Sequence, residues 1–230
     1  MVTAIKVLTK FLICFSVSTG PFYANQKPDH IRLHGTIESQ GIRLNLSVAT
    51  KEQKKIRAVV HDDAKSVVMH IVFNQGNLYL RETHSGKRTT RLVVGDEAAT
   101  NLVDLLALNP DYHFRGEDSL NLGAFESAGY SIELKRAENP IKKSEIYPPT
   151  ELRLRKKEGD RIVLLRIIKY LDFHDSDMAY LQPKCLEFKD HQSGDSGTIK
   201  IDTVGYNPGL PDFLFEINSE DTERGSSFTD

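Results

Sequence analysis

Three short stretches of this chain carry side chains that could do chemistry. Gly194-Asp195-Ser196-Gly197 sets a serine in a tight glycine-bounded turn. A hydroxyl in such a setting becomes a nucleophile when a histidine takes its proton and a carboxylate orients the imidazole. Asp172, His174, Asp175 and Asp177 gather carboxylates around one imidazole, a donor set suited to a hard divalent cation. His61-Asp62-Asp63 repeats that theme on a smaller scale.

Each stretch also has a plainer reading, and the surrounding residues favour it. The eight histidines never occur in the Ala-His-Cys setting that accompanies a trypsin-like serine. LEFKD before the motif and TIKIDTV after it alternate like strands, so DHQSGDSG reads as a hairpin loop between them. The acidic cluster shows neither EF-hand spacing nor an HExxH pattern, and reads as a solvated turn. His61-Asp62-Asp63 reads as a hairpin turn, and His70, between Met69 and Ile71, as a packed or half-exposed sheet residue. LRLRKKEGDR is basic, but Glu158 and Asp160 stand within it, so it reads as a solvated hairpin. No glycine-rich phosphate loop or dinucleotide fingerprint is present. The expectation is a protein that is not an enzyme and takes no cofactor and no metal.

The elements that would position any site are mostly strands. Ile31, Leu33 and Ile37, then Ile42, Leu44, Leu46 and Val48, alternate with polar residues on either side of Gln40-Gly41, which predicts a hairpin. Further strands are predicted over 55–61, 66–73, 77–82 and 89–94, separated by turn-forming HDDAK, NQG and THSGK. Asp96 is positioned to cap a helix over 97–108, whose Leu102, Val103, Leu105 and Leu106 recur at helical spacing until Asn109-Pro110. A second helix is expected over 118–127. Strands resume over 130–136, 151–157, 161–173, 185–189 and 198–204. The layout is six strands, a helical insertion and five strands in one mainly β domain. The Pro-rich 138–151 is a connector within it.

The ends of the chain carry a different signal. Lys6 and Lys10 precede the apolar run FLICFSVS and a small-residue stretch ending at Ala24, which reads as a secretory signal peptide over residues 1–24. The run is shorter than the roughly 20 residues a membrane helix needs. Export to a periplasm is therefore expected, with a folded domain over 25–217 and a polar, disordered tail over 218–230. The leader contains two lysines and no acidic residue, so 28 basic residues remain against 32 acidic ones, a net charge of −4. That balance argues against nucleic acid or an anionic membrane surface as partner. Only Cys185 would remain after cleavage, so no intramolecular disulfide can form.

SVVMHIVF (66–73) and RIVLLRIIKY (161–170) are apolar at both parities, so both faces of the sheet meet apolar groups there. Two architectures fit equally well. One is a curved sheet with an aliphatic concave side capped by helices, able to hold a lipid; the other is a closed two-layer core. From about Lys54 to Ile217 the order of elements resembles the LolA/LolB-like superfamily, in particular the outer-membrane lipoprotein-sorting proteins. The residues that carry the resemblance are IRAVV and FNQGNLYLRE, then RIVLLRIIKYLDF, LQPKCLEFKD, GTIKIDTVGYN and PGLPDFLFEI. It implies an open antiparallel half-barrel with helices over its concave face. It also implies a monomeric carrier of lipoprotein or phospholipid acyl chains between inner-membrane donor and outer-membrane acceptor proteins. The family begins with an amphipathic helix, for which Asn25–His30 is too short. Alternation and the lid helix nominate Leu44, Leu46, Met69, Ile71, Leu80, Leu102, Leu105, Leu106, Val163, Leu165 and Ile167 as lipid-binding residues of the cavity wall. Two other functions are weighed against this one: a non-enzymatic envelope interaction or stress-sensing protein using a sheet edge or the acidic tail, and a hydrolase dependent on Ser196.

Overall fold

In a computed structural model, residues 28–216 are described except 53, 75, 85–86, 115–125, 127, 141–146 and 175–180. The leader, the helix expected over 118–127 (apart from Glu126) and the tail over 218–230 lie outside the described residues.

The alternating segments form eleven strands. They are β1 (His30–Ser39), β2 (Ile42–Lys51), β3 (Lys55–His61), β4 (Val67–Asn74), β5 (Asn77–His84) and β6 (Lys87–Val93), then β7 (Tyr130–Arg136), β8 (Pro149–Glu158), β9 (Arg161–Phe173), β10 (Pro183–Asp190) and β11 (Ser196–Tyr206). Six strands precede the helical insertion and five follow it, as alternation predicts. All belong to one antiparallel sheet in the order β6-β5-β4-β3-β2-β1-β11-β10-β9-β8-β7. Each half of the chain is thus a meander of local hairpins, and the two halves of the sheet are joined where β1 pairs with β11. The β1–β2 turn has positive φ at both Gln40 (51°) and Gly41 (78°), the geometry of a two-residue hairpin matched to strand twist. At the β1–β11 seam the register shifts between His34 and Gly35. A Cβ on Gly35 would stand 2.0 Å from the Lys200 carbonyl oxygen, so only glycine allows this approach.

Helix α1 (Gly95–Ala107) buries Ala99, Leu102, Val103, Leu105 and Leu106. Its N-cap is Val94, without a side-chain cap bond, so Asp96 does not cap the helix as the sequence suggests. The Asp96 carboxylate is instead taken by Tyr130 of β7 and by Lys156 of β8. Pro110, which lacks the N–H needed to continue α1, opens the short helix α2 (Pro110–Phe114).

The curvature of the sheet follows from two neighbouring side chains. Laid flat, eleven strands would hold the edge strands β6 and β7 roughly 48 Å apart. Yet Glu97 pairs with Arg91 of β6 through both carboxylate oxygens, while adjacent Asp96 accepts bonds from Tyr130 and Lys156 on β7 and β8. The sheet therefore curls until its edges approach one another, and the first turn of α1 spans the gap. The result is an open half-barrel wrapped around one helix.

The outer face of β2–β4 is covered as well. The 3₁₀ helix Asp212–Phe215 brings a fully buried Phe215 and, from the preceding loop, Leu210 against Ala49. Asn74 Nδ2 donates to the Phe215 carbonyl, and Asp212 pairs with Lys51 and Lys55. This explains why β4 is apolar at both parities: Ile71 and Phe73 face the helix, and Val72 on the opposite side is 1% exposed.

Candidate functional site

Strand register assigns each residue to a face. Val48, Ala58, Ile71 and Leu80 are successive cross-strand partners, as are Leu46, Val60 and Met69. On the other half, Leu186 faces Tyr170, Phe188 faces Ile168, and Ile168 faces Leu152. These residues and the buried side of α1 form one continuous apolar cluster. Of the residues nominated from the sequence, Leu44, Leu46, Met69, Ile71 and Leu80 stand on this enclosed face, and Leu102, Leu105 and Leu106 pack into it from α1.

Val163, Leu165 and Ile167 do not belong with them. Leu164 and Ile168 are the β9 residues in the enclosed cluster, so the parity read for β9 is shifted by one. The reason is Arg166, which stands in the same row as Leu164 and Ile168 and is 6% exposed. An arginine in a strand normally marks the water side. Here α1 brings Asp104 to it, and the two pair with Nε–Oδ1 at 3.0 Å and Nη2–Oδ2 at 2.6 Å. The Phe188 ring lies 4.5 Å from the guanidinium carbon. Burial raises the Asp104 carboxyl above the usual carboxylate range against the pull of Arg166.

The rim contacts are polar. Hydrogen bonds from Tyr130 and Lys156 lower the Asp96 carboxyl below its ordinary value, and Arg91 does the same to Glu97. At the other end of α1, fully buried Asp111 accepts from Arg136 Nη1 at 2.6 Å and from the Leu181 amide at 3.0 Å. Gln182 Nε2 donates to the Leu108 carbonyl at 2.6 Å. The helix thus carries an apolar face into the trough and polar ties at both ends.

A narrow apolar opening of about 140 Å³ lies beside β6, lined by Phe73, Leu78, Val93, Ala98 and Leu102, with Leu92 and Val94 exposed at its lip. On the outer face, a broader groove of about 610 Å³ crosses β8–β11. Ile167 lies there between Arg153, Lys169, Lys189 and two glutamates.

Two of the three stretches that invited chemistry lie at strand-connecting turns. Residues 191–195 connect β10 to β11; the Asp190 carboxylate accepts the Gln192 and Ser193 amides, and the exposed Ser196 opens β11. Asp62 accepts the Ser66 amide within the β3–β4 turn. His174 bonds the Ile201 carbonyl, Asp172 pairs with Lys184, and Asp175 and Asp177 lie outside the described residues. Among the described residues no group of three His, Cys, Asp or Glu side chains converges as a metal site, and no helix is long and apolar enough to cross a membrane. Arg166, Asp104, Arg91 and Lys156 went unread in the sequence. The available signal was a lone arginine inside RIVLLRIIKY and a lone aspartate inside NLVDLLAL.

With this geometry the chain can be set beside solved structures. A LolA superfamily protein from Nitrosomonas europaea is similar over 84% of this chain and 91% of its own, at 11% identity and a TM-score of 0.47. A putative outer membrane lipoprotein-sorting protein domain from Vibrio parahaemolyticus is similar over 88% and 94%, at 11% identity and a TM-score of 0.43. No family model and no curated protein matches the sequence.

Proposed function

We propose that this chain is an exported periplasmic carrier that shelters the acyl chains of lipoproteins or phospholipids in the trough of its half-barrel. One observation carries the reading: a single amphipathic helix fills an aliphatic trough and is tied at its start by contacts to both edges of an open sheet. An element held in this way can lift without breaking any strand pairing. What it uncovers is a wall of Leu, Ile and Val. Each methylene buried there stabilises by about 0.8 kcal/mol, so one long acyl chain supplies on the order of 10 kcal/mol before the costs of binding. The work is done by burial, without covalent chemistry or a cofactor. In its finer form the cargo is an outer-membrane lipoprotein, received from an inner-membrane donor and passed to an outer-membrane acceptor.

The test is native mass spectrometry of the chain exported to a periplasm, followed by organic extraction of whatever adds to its mass. A discrete adduct that extracts as phospholipid or acylated peptide is the expected result. A bare chain that also fails to bind added lipid or a fluorescent fatty acid refutes the carrier and favours an envelope interaction protein.

A further inference from the structure

The enclosed wall is mainly apolar, and Arg166 is a buried cation within it, with Asp190 across from it on β10. A buried ion pair is poor value for stability, because desolvating two charges offsets most of their attraction, and apolar replacements of similar volume serve as well or better. Arg166 is also held from the wall side, by the Phe188 ring, independently of α1. Asp190 lies directly across from Arg166 on β10, and its Oδ1 accepts the Gln192 and Ser193 amides, whereas the two hydrogen bonds of the guanidinium go to Asp104. The bidentate partner of Arg166 therefore comes from the one element that can leave. When α1 lifts, an arginine is left in an apolar wall with its bidentate partner gone.

The face of α1 that fills the trough has a telling composition. Leu102, Val103, Leu105 and Leu106 are buried around a single carboxylate, Asp104, whose side chain remains one third exposed. An apolar body with one anionic group at its margin has the chemistry of an amphiphile with a negatively charged head. We propose that Arg166 is the head-group site of the carrier. An acyl chain bearing a carboxylate or phosphate displaces α1, its head taking the guanidinium from Asp104 and its chain taking the strip that the helix leucines occupy. A planar fork of donors suits either oxyanion. The inference rests on the carrier reading and adds to it the charge of the cargo.

The experiment measures dissociation constants of oleate, oleoyl lysophosphatidate and uncharged oleyl alcohol on the exported chain, for the wild type and for Arg166→Met, Arg166→Lys and Asp104→Asn. In the wild type both anions should bind at least tenfold more tightly than the alcohol. Arg166→Met should remove that advantage while keeping the alcohol, and Arg166→Lys should restore part of it. Asp104→Asn, which removes the competitor and leaves the wall intact, should widen the anion advantage severalfold. Whichever anion keeps the larger advantage identifies the head, carboxylate or phosphate. Equal ratios in wild type and Arg166→Met, with the alcohol still bound, overturn the head-group site and leave the carrier standing. Binding of none of the three overturns both. Should Arg166→Met fail to fold, an anion-to-alcohol ratio unchanged by Asp104→Asn is itself decisive against the proposal.

Discussion

Glu97→Gln tests whether α1 is a lid, because it loosens one tie and leaves every apolar contact of the helix in place. The Arg91–Glu97 pair is about half exposed on both sides, at 45% each. Exposed pairs contribute ~0.2–1 kcal/mol, which corresponds to at most about a fivefold change in how often the helix start lets go. If binding requires that opening, apparent affinity for a fluorescent fatty acid scales with the open fraction and should improve by the same factor, up to about fivefold. Salt should imitate the substitution in the wild type, since the screening length falls to about 3 Å at 1 M, and should have a smaller effect in the variant, where the Lys156–Asp96 tie remains to be screened. Acid should act alike from the opposite edge. Both Asp96 and Glu97 are held below their ordinary values, so their ties are complete above about pH 4 and are lost as pH falls below it. Stopped-flow uptake alongside amide exchange at Leu102–Leu106 provides the measurement. Faster exchange with unchanged uptake and affinity refutes the lid, and unchanged exchange refutes the value assigned to the pair.

Three further outcomes follow from features away from the lid. Gly35→Ala forces a methyl into the Lys200 carbonyl at the central seam, and should cost several kcal/mol or prevent folding, read as a denaturant midpoint. Phe215→Ala, on the outer face, should cost about 3–5 kcal/mol in the same assay while leaving fatty-acid affinity within a factor of two. Burial first, then Arg57 and Arg81, push the His70 imidazole down to about 3. The unfolded chain therefore takes up a proton near pH 6.5 that the folded chain refuses. Stability should decline as pH falls from 6.5 toward 3, by on the order of a few kcal/mol, and His70→Gln should flatten that slope.

The strands were legible because alternation and turn chemistry are local. Gln40-Gly41 and HDDAK determine where the chain reverses, and β3, β7 and β9 begin and end where the pattern places them. What could not be read depends on partners distant in sequence. In isolation Arg166 marks the water side of β9; it faces inward only because Asp104, 62 residues earlier, meets it. It shares the inward row with Leu164 and Ile168, which leaves Val163, Leu165 and Ile167 on the other face. Asp96 has the composition of a cap, but Tyr130 and Lys156 compete for its carboxylate once β7 and β8 curl toward the helix. The outer-face cover by Phe215 was visible only as an aromatic pair, Phe213 and Phe215, following Pro208 and Pro211, with nothing in it to show which face it would take.

The seam between β1 and β11 also sets the timing of assembly. Every other pairing in the sheet joins neighbouring strands of the chain, so each meander can form from local reversals soon after its residues emerge. β1 is the exception on its outward side, because its second partner is the last strand of all. Until β11 arrives the N-terminal half therefore carries an open row of amide and carbonyl groups beside Ile31 and Leu33, available to any extended segment nearby. A folding chaperone would have most to protect at that edge. Losing the final strand would leave the same edge permanently open, producing a chain inclined to join copies of itself where the intact protein joins its own two ends.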